Sequence, residues 1–120
     1  MSRLTIQTVE SAPEEAKERL INARNASGFL PNLLGVLANA PTALETYQVV
    51  SAINARNGLS ATEREVVQIT AATRNGCGFC AAGHTAVARK KLGLPEEVIA
   101  ALRNMQALRD SKLNALALFT

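Results

Sequence analysis

Helix stop and start signals cut this chain at short intervals, and no run between them alternates polar and apolar residues as a strand would. Ser27-Gly28, Asn57-Gly58, Asn75-Gly76 and Leu92-Gly93 end segments, while Pro31, Pro41 and Pro95 border others. The stretches between are built mostly on Ala, Leu, Val and Ile, and Ala and Leu are strong helix formers. Helices are therefore predicted over residues 12–25, with Pro13 at the first helical position and Glu14 and Glu15 in the first turn. Others are predicted over 31–38, 42–56, 61–74, 77–92, 95–103 and 112–119. Ser60-Ala61-Thr62-Glu63 forms a capping box for the fourth, which gives Glu63 its role. Gly93 suits the left-handed position after a helix, and Asp110 or Ser111 caps the last one.

A chain of 120 residues that is 48% apolar can close one hydrophobic core, so the expected fold is a single compact, multi-helix, all-α domain over 1–120. The apolar end, Leu113, Leu116, Ala117, Leu118 and Phe119, would normally be covered. That predicts either a C-terminal continuation beyond Thr120 or burial against another subunit. Charged residues make up 19%, too many apolar residues accompany them for disorder, and the net charge is only +3. Arg89-Lys90-Lys91 is the one basic run and reads as a solvated helix end. With four aromatics and no basic stripe, nucleic acid is not an expected partner. The first residues lack the apolar core of a secretory signal, and no run approaches a membrane span. A cytoplasmic protein without membrane partners is the expectation.

Chemistry concentrates in one place. Cys77-Gly78-Phe79-Cys80 and His84 hold both cysteines and the single histidine of the chain. With Cys77 opening a helix, Cys80 and His84 fall on the same face, and Cys80 and His84 are i,i+4 neighbours with Cβ atoms about 5–6 Å apart. The amides of a first helical turn favour a thiolate, and a histidine can take its proton. A sulfur oxidised to sulfenic acid would have the second close enough to condense with it. Glu65, twelve residues before Cys77, lies at the edge of the apolar face of the preceding helix beside Ile69 and Ala72. There it is either a partly desolvated proton relay or a solvated first-turn acid.

Other readings of the cluster are open. Cys77, Cys80 and His84 could supply three ligands to zinc, but the chain has no second ligand pair and no finger spacing. A thioredoxin-like site would need a strand before the motif, where a helix is predicted. Two incidental buried cysteines beside a core histidine would be purely structural, and a non-catalytic oligomeric module that senses oxidants or binds metal is the functional alternative.

Glu65, eleven residues, Cys77-x-x-Cys80, three residues and His84 together resemble the alkylhydroperoxidase D-like branch of the carboxymuconolactone decarboxylase superfamily. Phe29-x-Pro31-Asn32, Ala40-Pro41, Arg64-Glu65, Asn75-Gly76-Cys77 and Leu92-Gly93-Leu94 before Glu96-Glu97 extend the likeness over roughly residues 25–105. The resemblance implies an all-helical domain assembling as homo-trimers or hexamers, without cofactor or metal. It implies a thiol-dependent peroxidase that reduces hydroperoxides in antioxidant defence, or a disulfide reductase serving a peroxiredoxin. The thiol reductant would include dihydrolipoyl groups, which serve some relatives. It implies Cys80 as the peroxidatic sulfur, Cys77 as proton donor and resolving cysteine, and Glu65 and His84 as the relay. Helix-dipole reasoning alone favours Cys77 as the attacking sulfur; proximity to His84 and the resemblance favour Cys80, which is the choice made here. Phe79 departs from the pattern, standing where the best-known members carry histidine. The decarboxylase branch does not use this cysteine pair, so ring-lactone decarboxylation is not expected.

Overall fold

The computed structural model describes residues 3–120. Among them are seven α-helices and no strand, as the punctuation predicts. They are α1 (Glu14–Ser27), α2 (Asn32–Leu37), α3 (Pro41–Asn54), α4 (Ala61–Arg74), α5 (Gly78–Lys90), α6 (Glu96–Arg103) and α7 (Ser111–Phe119). The chain forms two compact units, Met1–Asn57 and Gly58–Thr120. None of the helices is long and apolar enough to cross a membrane.

Three prolines sit one residue earlier than the sequence reading places them. Pro13, Pro31 and Pro95 precede their helices with extended ψ values of 145°, 136° and 139°, so each serves as the capping residue. Lacking an N–H, proline fits either place, and the helical hydrogen bonds decide between them. Pro41 is instead the first residue of α3. α5 ends at Lys90, short of the predicted Leu92. Beyond it the Leu92 amide reaches back to Val87 O at 3.3 Å and the Leu94 amide to Ala88 O at 3.0 Å, with Gly93 between them at φ 63°. A positive φ there favours glycine, which has no Cβ to clash.

The first unit buries Ala12, Ala16, Leu20, Ala38 and Leu44, with Val9, Leu30, Leu34 and Leu37 packed on them. Arg19 on α1 bonds to Glu45 and Gln48 on α3. On α3 Leu44 is buried, while Tyr47, Val50 and Ile53 face solvent. The aromatic residues Phe29, Tyr47, Phe79 and Phe119 are all exposed, so the cores are aliphatic.

The second unit is organised around α4, which packs against α5, α6 and α7. Val66, Ile69, Ala88, Ile99, Leu102 and Leu108 form its core. Leu113, Leu116 and Ala117 of α7 pack against that core, so most of the apolar C-terminus is covered within the unit itself. Leu118 and Phe119 remain exposed.

Both ends of the predicted capping box are present. The Glu63 amide donates to Ser60 Oγ at 3.2 Å, and the Ser60 amide donates to Glu63 Oε2 at 2.7 Å. Glu63 has a second role that its place in the box does not reveal. Its other carboxylate oxygen takes Lys112 Nζ at 2.5 Å, tying the start of α4 to the start of α7. The Lys112 ammonium and then the Ser60 amide hold the Glu63 carboxyl down to about 2. A carboxyl with a lowered folded-state value stabilises the fold above its unfolded value and loses that stability as it protonates.

Replacing Ser60 by Ala should lower the unfolding free energy by about 1 kcal/mol, read by denaturant titration. Thermal melts of the wild type should show Tm falling as pH drops from the unfolded carboxyl value of 4.5 toward about 2. Glu63→Gln should start from a lower Tm and lose that share of the pH slope.

Candidate active site

α4 and α5 are joined by a reversal of minimal length. Asn75 follows α4, with its side-chain amide donating to Ala71 O at 2.8 Å. Gly76 then takes φ 65°, a left-handed turn that a side chain would strain. The Cys77 amide reaches back to Ala72 O at 2.9 Å, so the residue that opens α5 is still fastened to α4. Ala81, Thr85 and Ala88 form the buried side of α5, and their small size lets the helix lie close to α4.

Cys77 caps α5 through its sulfur. Cys77 Sγ accepts the Cys80 amide at 3.2 Å, the bond that Ser or Asp makes at an ordinary helix start. The sequence places Cys77 at the helix start but does not reveal that sulfur is the capping atom. Cys77 and Cys80 are joined as a disulfide across a Cα–Cα distance of 5.3 Å. The CxxC pair therefore lies at the N-terminus of a helix, as expected, and in its oxidised state.

Glu65 and His84 meet between the two helices. Glu65 Oε2 lies 2.9 Å from His84 Nδ1. The Glu65 side chain is only 13% accessible and that of His84 33%, so the pair is partly withdrawn from water. Of the two sequence readings of Glu65, the solvated first-turn acid does not survive: the carboxylate is turned to the helix interface, flanked in its own helix by buried Val66 and Ile69. An ionised Glu65 accepts this bond from Nδ1–H, which leaves Nε2 as the nitrogen for other partners. Such a pairing would orient the imidazole if the ring served as a base.

All four residues singled out from the sequence, Glu65, Cys77, Cys80 and His84, thus lie on α4 and the first two turns of α5, within the second unit. Phe79, between the cysteines, is 65% exposed. Among the described residues no three His, Cys, Asp or Glu side chains converge to hold a metal ion, and the two sulfurs are bonded to each other.

The carboxymuconolactone decarboxylase family profile matches residues 40–120, from the start of α3 to the end of the chain. The chain belongs to this family. No curated protein sequence matches it. The match starts later than the likeness read from the residues and runs further, taking in α7.

Nitrogen NMR of His84 should report protonation at Nδ1 in the neutral ring, and Glu65→Leu should redistribute the two tautomers. Equal tautomer populations in the wild type would remove the oriented-base reading.

Proposed function

We propose that this protein is a thiol-dependent oxidoreductase of the alkylhydroperoxidase D-like kind, reducing hydroperoxides through Cys77 and Cys80 in antioxidant defence. The observation that carries this reading is the disulfide at the start of α5 beside a His84 oriented by Glu65. A purely structural disulfide requires no such base.

In the reduced protein, His84 Nε2 accepts the Cys80 thiol proton and Glu65 stabilises the imidazolium through Nδ1. The Cys80 thiolate attacks the terminal oxygen of the hydroperoxide. The S–O bond forms, the O–O bond breaks, and the alkoxide leaves as alcohol with the proton from His84. Cys80 is then a sulfenic acid. Cys77 is the resolving sulfur. Its position at the helix start, facing the Cys80 amide, favours the thiolate form. It attacks the Cys80 sulfur, the hydroxyl departs as water with a proton, and the disulfide forms. A dithiol reductant closes the cycle by two thiol–disulfide exchanges, leaving two thiols on the protein and an oxidised dithiol. A dihydrolipoyl group suits that step, and a peroxiredoxin disulfide suits the protein's alternative role as reductase.

Assembly as a homo-oligomer, a trimer or hexamer, belongs to the same reading. It is supported by the exposed apolar side chains of α3 (Tyr47, Val50, Ile53) and by Leu118 and Phe119. Work in the cytoplasm, where thiol reductants are maintained, fits a redox-active rather than a structural pair.

Peroxide consumption with a dithiol reductant tests the proposal. Both Cys77→Ser and Cys80→Ser should lose catalytic turnover, and His84→Ala should slow it by roughly 10²–10⁴-fold. After limiting peroxide, dimedone should label Cys80 in the Cys77→Ser protein. Unchanged turnover in the double cysteine variant would sink the enzyme reading; a label absent from Cys80 would reassign the attacking sulfur.

A further inference from the structure

Phe79 is the one side chain of the Cys77–Cys80 motif beyond a glycine hydrogen that neither the fold nor the proposed chemistry uses. It stands immediately before Cys80, and its side chain is 65% exposed. Ala82 and Gly83, three and four residues further along α5, lie on the same side of the helix and are also exposed. A Cβ built at Gly78 or at Gly83 would meet nothing within 4 Å, so the surface around the ring is open. From Gly76 to Thr85 no residue carries a fixed charge, and His84 is the only titratable group besides the cysteines.

An exposed ring next in sequence to a reactive sulfur, in a stretch without fixed charge and with open space at Gly78 and Gly83, offers a contact that an apolar body can use. We propose that Phe79 is a specificity-determining residue, laying its ring against the apolar part of an organic hydroperoxide presented to Cys80, with Ala82 and Gly83 as the floor. The inference rests on the peroxidase reading above and uses the same step: Cys80 takes the terminal oxygen and the alkoxide leaves. Hydrogen peroxide has no carbon to place on the ring, so the contact discriminates between the two kinds of substrate. Because the ring touches the non-reacting part of the substrate, it acts through kcat/KM for that substrate and leaves the chemistry at sulfur unchanged.

The test compares cumene hydroperoxide with hydrogen peroxide as oxidants of the full chain, with one dithiol reductant throughout. Phe79→Ala should lower kcat/KM for cumene hydroperoxide about tenfold and change that for hydrogen peroxide by less than about twofold. Phe79→Leu should keep most of the preference. Gly83→Leu should reproduce the selective loss, because its side chain lies one turn from the ring and fills the floor. Replacing a helical glycine by leucine favours the helix, so failure to fold does not confound that variant. Equal losses on both peroxides, or an unmoved ratio, would overturn the inference while leaving the peroxidase standing. So would a Phe79→Ala protein whose sedimentation and activity on both peroxides fall together, since the ring would then serve a subunit contact. A wild type inactive on both peroxides would remove the peroxidase reading and this inference with it.

Discussion

The short reversal Asn75-Gly76-Cys77 lays α5 back along α4, and the candidate site depends on it. A longer or looser connection would leave Glu65 on one helix and His84 on another with no reason to meet. Gly76 supplies the positive φ, Asn75 satisfies the last carbonyls of α4, and the Cys77 amide ties the new helix to the old one. The small inner side of α5, with Ala81, Thr85 and Ala88 buried, then permits the close approach that puts His84 Nδ1 on the Glu65 carboxylate.

This geometry divides labour between the two ends of the first turns of α5. At the very start, backbone amides favour charge on sulfur, and Cys77 has the Cys80 amide as its own donor. Two turns later the ring of His84 is held by a carboxylate that is itself largely shielded from water. In the proposed cycle, electrostatic help for one sulfur and a proton acceptor for the other would be supplied by different devices. That resolves, within the proposed cycle, the competition between the helix-dipole argument for Cys77 and the proximity argument for Cys80. Each sulfur has its own means of forming a thiolate, and the order in which they act follows from which one the oriented base serves.

Much of this was legible in the residues. The capping box at Ser60 and Glu63, the break at Asn75-Gly76 and the glycine at position 93 are local signals whose meaning hardly depends on the rest of the chain. The ion pair between Glu63 and Lys112 was not legible, because a capping glutamate has a complete explanation within four residues and its lysine lies on α7. The fate of the C-terminus was half legible. The apolar run Leu113, Leu116, Ala117, Leu118 and Phe119 called for cover, but only packing against the core of the second unit showed that the first three are partly buried and the last two are not. On α3, Leu44, Tyr47, Val50 and Ile53 stand near helical spacing, yet only Leu44 is buried.

By itself the sequence determined the all-helical class, the position of the redox pair at a helix start, and the short list of Glu65, Cys77, Cys80 and His84. The helical class, the helix start and the clustering of Cys77, Cys80 and His84 follow from propensity, punctuation and spacing, which act over a few residues, while the role of Glu65 came from the family resemblance. Tertiary structure decided what those residues do to one another. It set the Glu65 carboxylate 2.9 Å from His84 Nδ1, withdrew that pair partly from water, and left Phe79, next in sequence to Cys80, exposed. Such relations require two helices to face each other in one register, and no local signal encodes a distance between residues nineteen positions apart.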